Sequence, residues 1–151
     1  MDAAPFQIRI QVRISEVDPQ RHATGAAYVQ YADHARFSSF RAAGIDVDRM
    51  VANGIGPVNL ETTIRYQEEL HAGDEIDVTC RFEWVSGKTC RVEHDLRRTD
   101  GMLAAQISSI WGLLDLESRR LLADPGEHLR KLADRPELVG LSEGGSGSAG
   151  A

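Results

Sequence analysis

Cysteine, basic charge and long apolar runs are all scarce in this 151-residue chain, and each scarcity excludes a class of protein. The two cysteines, Cys80 and Cys90, have no C-x-x-C spacing. The five histidines, His22, His34, His71, His94 and His128, have no H-x-x-x-H spacing, so no metal site is expected. No stretch reaches the ~18 uninterrupted apolar residues of a membrane span. The first residues, M-D-A-A-P-F-Q, lack the basic n-region and apolar h-region of a secretory signal, and the expected compartment is the cytoplasm. With 17 Lys+Arg against 23 Asp+Glu the net charge is −6. Non-specific nucleic-acid binding needs many cations to neutralise phosphates, and here they come only in scattered pairs such as Arg97/Arg98. There is no G-x-S-x-G elbow and no phosphate-binding loop.

What remains is a chain with enough apolar residues, 42%, to build one core. Residues 1–139 read as a single domain. Residues 140–151, G-L-S-E-G-G-S-G-S-A-G-A, read as a flexible Gly/Ser-rich tail. Phe6, Ile8, Ile10, Val12 and Ile14 alternate with polar residues, the period of a half-buried strand. Val58 to Gln67 repeats the pattern, and Ile76 to Trp84, Cys90 to Leu96 and Leu103 to Leu113 give three more strands. Across the Ser86-Gly87-Lys88 turn, opposing positions that sum to 174 place Trp84 opposite Cys90, Phe82 opposite Val92, Cys80 opposite His94 and Val78 opposite Leu96. That register puts every apolar pair on one face and separates the two cysteines, so no disulfide is expected.

One long helix competes for that face. Gly25 to Ala43 contains no proline and no internal glycine, and Gly44 is a suitable stop. Tyr28, Tyr31, Ala32, Ala35, Ser39 and Ala42 form one helical stripe of mostly small residues, with Phe37 and Phe40 lying off it. A short helix is expected over Pro125–Leu132, capped by Asp124. Together these elements describe an α+β domain: a five-stranded antiparallel sheet wrapped around one long helix.

The junction E-V-D-P-Q-R-H-A-T-G-A-A-Y, residues 16–28, joins a strand end to a helix N-terminus, where free N–H groups favour negative charge. A carboxylate there, Asp18, could act as general base or nucleophile on a carbonyl polarised by those N–H groups. On residue types alone Asp18-Pro19 reads first as a turn, since Asp is a preferred turn residue.

The segment V-R-I-S-E-V-D-P-Q-R-H-A-T-G-A-A-Y-V-Q-Y-A-D-H-A-R-F resembles the signature of hotdog-fold acyl-CoA thioesterases of the 4-hydroxybenzoyl-CoA thioesterase type, roughly D-x-D-x-x-G-H-V-N-N-x-x-Y-x-x-Y-x-E-x-A-R. Asp18, His22, Tyr28, Tyr31, Ala35 and Arg36 match, and Asp33 stands for the Glu. The likeness continues through I-R-Y-Q-E-E-L-H-A-G-D-E-I-D-V to D-G-M-L-A-A-Q, about residues 8–116. It implies a hotdog fold, an acyl-CoA substrate, no cofactor and a homodimer or homotetramer with shared active sites. It also implies that Asp18 is the catalytic carboxylate and that the Gly25 N–H holds the thioester oxygen. Gly87, Lys88 and Thr89 become candidates for contacting CoA, with Lys88 meeting a phosphate, or staying an ordinary solvated turn lysine. His22, Thr24 and Tyr28 are further candidates for substrate binding, although Thr24 reads first as a helix cap. Arg21 departs from the pattern, standing where the family has Gly, and Thr24 and Gly25 replace the Asn pair.

Two other readings stay open. An enoyl-thioester hydratase uses an Asp–His pair, which Asp18 and His22 superficially supply, although the D-x-N-P-x-H motif is missing. A non-catalytic acyl-thioester binding module would have little need of Asp18.

Overall fold

The computed structural model describes residues 4–142. Its elements are β1 (Phe6–Gln11), α1 (Gly25–Ala42), α2 (Val47–Ala52), β2 (Ile55–Tyr66), β3 (Glu75–Trp84), β4 (Cys90–Arg98), β5 (Leu103–Asp115), β6 (Arg120–Leu121) and α3 (Pro125–Leu132). The strands form one antiparallel sheet in the order β1-β3-β4-β5-β2, with the two-residue β6 appended to β5. The five expected strands are all present, and α1 lies on the face where their apolar residues converge.

Alternation of side chains dictates that placement. Ile76, Val78, Cys80 and Phe82 on β3 are buried together with Val92 and Leu96 on β4 and Ile107, Trp111 and Leu113 on β5. The β3–β4 hairpin holds the expected register, with Trp84 opposite Cys90, Phe82 opposite Val92 and Val78 opposite Leu96. Between Val78 and Arg81 the ladder opens. There the Asp95 N–H donates to the Thr79 hydroxyl at 2.9 Å, and the Thr79 carbonyl meets His94 Nδ1 at 2.9 Å. His94 is buried, and its Nε2 has no partner among the described residues. Burial lowers its pKa to about 4. Cys80 and Cys90 are both buried and free, and burial pushes their thiols up to about 12.

Helix α1 buries Tyr28, Tyr31, Ala32, Ala35 and Ser39, the expected stripe, but Ala42 is exposed and Ala43 takes its place. The helix ends at Ala42, and Gly44 turns the chain at φ 83°, a conformation favoured by glycine. Phe40, read as lying off the core stripe, is fully buried, stacked on Phe82 at 5.9 Å and tilted against Trp111 at 5.5 Å. The sheet covers a wider arc of the helix than a single stripe, and of its two phenylalanines Phe37 alone is left exposed.

The edges differ from expectation as well. β1 stops at Gln11, and Ile14 sits exposed in a 3-10 turn instead of extending the strand. β2 carries a bulge between Asn59 and Glu61, which leaves Leu60 unpaired and 48% exposed. The short helix α3 spans the expected residues, but Asp124 at its N-cap is left-handed, φ 52°, and its side chain caps nothing. Past residue 139, Gly140 turns at φ 73°, Leu141 is buried, and Ser142 accepts from Arg130 Nε at 2.8 Å. The remainder of the expected tail lies outside the described residues. Among the described residues, no helix is long and apolar enough to cross a membrane.

Candidate active site

The loop between β1 and α1 is held by backbone geometry before any side chain acts. Val17 and Ala23 form an antiparallel bridge, the Asp18 N–H donates to the His22 carbonyl at 3.0 Å, and the Arg21 N–H donates to the Asp18 carbonyl at 2.8 Å. Closing this tight turn requires a left-handed residue, and Arg21 supplies it at φ 72°. The position thus keeps the conformation that a glycine adopts freely, at a strain of roughly 1–2 kcal/mol for a side-chain-bearing residue. The loop is then tied to its surroundings. The Ala23 N–H donates to the Leu70 carbonyl at 2.7 Å, and the Thr24 N–H donates to the Glu16 carbonyl at 3.0 Å.

Asp18 divides its carboxylate between two tasks. Oδ1 accepts from the Gln20 N–H at 2.9 Å and, at 3.4 Å, from the His22 N–H, which is the turn role expected of an Asp-Pro pair. Oδ2 faces the His22 ring, with Nδ1 at 3.5 Å, and the side chain is 28% exposed. His22 Nε2 meets Gln20 Oε1 at 3.0 Å, so the imidazole is oriented from its other side. Thr24 is the N-cap of α1, its hydroxyl accepting from the Ala27 N–H at 3.2 Å, and it holds extended backbone angles. Gly25 is the first residue of the helix, so its N–H has no intrahelical acceptor. It is exposed to the cleft.

The cleft has a volume of about 460 Å³. Its floor and one wall are Asp18, His22, Ala23, Thr24, Gly25 and Tyr28. Five expected site residues are therefore brought together: Asp18, His22, Thr24, Gly25 and Tyr28. The Tyr28 ring is buried and stands perpendicular to Tyr66 at 5.1 Å. Burial raises its phenol pKa first, the neighbouring Tyr66 second, while a backbone hydrogen bond at Leu70 opposes both.

The opposite wall, Tyr66, Gln67, Glu68 and Glu69, is absent from the candidates drawn from sequence. It comes from the end of β2 and the loop beyond it, and its signal lay in the I-R-Y-Q-E-E-L stretch of the resemblance. Tyr66 is 58% exposed, an unusual position for an aromatic residue at a strand end that abuts a cleft.

Gly87, Lys88 and Thr89 do not line this cleft. They form the turn at the far end of β3, roughly 30 Å from its first residue at ~3.3 Å per residue. There the Gly87 carbonyl accepts from the Asp124 N–H at 2.8 Å, and Gly87 turns at φ 117°. A Cβ on Gly112 of β5 would lie only 2.7 Å from the Lys88 carbonyl, so the turn packs closely on β5.

Known proteins resemble this chain in sequence and in fold. Residues 12–137 match the family described as the thioesterase-like superfamily. A long-chain acyl-CoA thioesterase, FadM, of Escherichia coli is 24% identical over 84% of this chain and 96% of its own. A chloroplastic acyl-acyl carrier protein thioesterase of Arabidopsis thaliana is 24% identical over 70% of this chain, which spans only 57% of that longer protein. The crystal structure of a 1,4-dihydroxy-2-naphthoyl-CoA thioesterase from Synechocystis superposes with a TM-score of 0.76 at 15% identity, covering 82% of this chain and 93% of that one. The matched residues run from just past β1 through the Asp18 loop, α1 and strands β2 to β6, and the chain belongs to the thioesterase-like superfamily, on the hotdog fold.

Proposed function

We propose that this protein hydrolyses an acyl-CoA thioester in the cleft between the Asp18 loop and the end of β2. Thioester hydrolysis is the activity class of its family. The observation that carries the reading is that Asp18 and the free N–H at the start of α1 line one cleft. A thioester carbonyl oxygen placed on the Gly25 N–H would lie at the positive end of the helix dipole. As the carbonyl carbon becomes tetrahedral, negative charge grows on that oxygen, and one such donor is worth roughly 3–4 kcal/mol where it has been removed elsewhere.

Asp18 Oδ2 serves as base or nucleophile. As base it takes a proton from water, the resulting hydroxide attacks the carbonyl carbon, and collapse expels the CoA thiolate and leaves the free acid. As nucleophile it attacks the carbonyl carbon and expels the CoA thiolate, giving a mixed anhydride that water then opens to the free acid and the restored Asp18 carboxylate. Because Oδ1 is held by two backbone N–H groups, Asp18 has a fixed orientation in either route. Neither route needs a metal or an organic cofactor.

The CoA phosphates would find Glu68 and Glu69 at the mouth of this cleft, so their cationic partners lie elsewhere. Lys88 is exposed at the far turn, beyond the reach of its own chain's cleft, and it serves this role only in a homodimer or homotetramer. The 12-residue edge strand β2, with Leu60 exposed at its bulge, is the candidate surface for that assembly.

Release of free thiol from a panel of acyl-CoAs, with an acyl-carrier thioester included, tests the activity and ranks the substrates. The approach of His22 Nδ1 to Asp18 at 3.5 Å is the one feature shared with the hydratase reading. Loss of enone absorbance from an enoyl-CoA, without thiol release, would favour that reading instead.

A further inference from the structure

Tyr66 is not required by the chemistry outlined above, yet it lines the same cleft, with its hydroxyl against the first residue of α1. Its hydroxyl stands 3.1 Å from the point where a Cβ on Gly25 would sit. A side chain at position 25 would touch the Tyr66 hydroxyl and require it to give way by a few tenths of an ångström, so the hydroxyl lies directly against the start of the helix. The ring is aimed by Tyr28, which meets it perpendicularly at 5.1 Å. The Tyr28 side is buried while Tyr66 remains 58% exposed, so the Tyr66 hydroxyl is available to a ligand. Tyr66 and Gly25 also line the same cleft as Asp18.

We infer that Tyr66 is a catalytic residue whose O–H donates a hydrogen bond to the thioester carbonyl oxygen, beside the Gly25 N–H. This rests on the reading of the Asp18 cleft as the hydrolytic site and adds a second donor to it. As the attacking oxygen bonds to the carbonyl carbon, the C=O π pair moves onto the carbonyl oxygen, where the two donors converge. The proton stays on Tyr66 throughout, and the electron pair returns to the carbon as the C–S bond breaks. A phenol supplies this bond from a strand, whereas the N–H comes from the helix. The hole is thus assembled across the α1–β2 gap, and its geometry depends on the packing of Tyr28 between them.

Tyr66→Phe keeps the ring and its contact with Tyr28 and removes only the hydroxyl. With the acyl-CoA that the wild type hydrolyses fastest, kcat is expected to fall on the order of 100-fold. The dissociation constant of a thioether analogue, in which CH2 replaces the carbonyl, should stay within about twofold, because the analogue has no oxygen for Tyr66 to hold. A kcat within about threefold of wild type would overturn the assignment, as would a loss of analogue binding as large as the loss of kcat. Asp18→Asn is assayed in parallel. If it is inactive while Tyr66→Phe is not, only the role of Tyr66 falls. If Asp18→Asn is fully active, the cleft is not the hydrolytic site and both assignments fall.

Discussion

The Tyr31 hydroxyl donates to Glu16 Oε1 at 2.7 Å, tying the core face of α1 to the loop that carries Asp18. The same carboxylate oxygen accepts from the Arg13 N–H at 2.9 Å, and the Glu16 carbonyl accepts from the Thr24 N–H. One residue therefore fixes both ends of the loop, at the 3-10 turn and at the helix cap. Tyr31 sits one turn after Tyr28, and their rings meet edge-on at 6.3 Å. Removing the Tyr31 hydroxyl leaves the Glu16 carboxylate short of a donor. Tyr31→Phe should lower the unfolding free energy by about 1.5–3 kcal/mol, the usual worth of a hydrogen bond to a charged group. Urea unfolding at neutral pH checks this, and an unchanged midpoint would show that the bond does not hold the loop.

Tyr31 also sets the alkaline limit. Burial, with the Glu16 hydrogen bond second, raises its phenol pKa well above the usual tyrosine range. The folded state favours the neutral phenol, so its contribution is fully present below the unfolded value of about 10 and is lost as pH rises beyond it. Thermal melts between pH 9 and 11 should fall more steeply for the wild type than for Tyr31→Phe.

His94 gives the acid counterpart. Its folded pKa is lowered to about 4 by burial, so the unfolded chain takes up the proton first as pH falls. The stability is present above the unfolded value of about 6.5 and is lost as pH falls through 4. At ~1.4 kcal/mol per pH unit this amounts to on the order of 3 kcal/mol. Denaturant midpoints measured at pH 7 and pH 4.5 should diverge for the wild type. They should converge for His94→Gln, which has no proton to gain.

Arg21→Gly should raise stability by up to about 1 kcal/mol, because glycine adopts φ 72° without strain. The hydrogen bonds that close the turn come from backbone and from Asp18, so turnover should change little. A lower melting temperature would show that the Arg21 side chain contributes more than its backbone costs.

Legibility in the sequence followed the range of the interaction that decides each feature. The strands and the 174 register were readable because a period of two, with one buried face, admits only one pairing of Phe82 with Val92. The Thr24 cap, the start of α1 at Gly25 and its stop at Gly44 depend on residues within one turn, and they too were readable. Phe40 was misplaced because its burial depends on how far the sheet curls around the helix, a property of β3, β4 and β5 together. The exposure of Leu60 follows from a bulge against β5, which alternation within β2 cannot reveal. Half the cleft was visible as a motif, the half carried by one continuous segment. Tyr66 and Glu68 reach it from the end of β2 and the loop beyond, distant in sequence, and the hydroxyl over Gly25 has no sequence signature of its own.

The most direct test of the account is the rate of free-thiol release by Asp18→Asn, measured on folded protein with the best acyl-CoA substrate. Asparagine preserves the acceptor that closes the turn through Oδ1 and removes the charge that activates water or attacks the thioester. A fall in kcat of at least about 100-fold, with circular dichroism and the melting temperature near those of the wild type, is the predicted result. Turnover within about threefold of the wild type would contradict the assignment of Asp18 as the catalytic carboxylate.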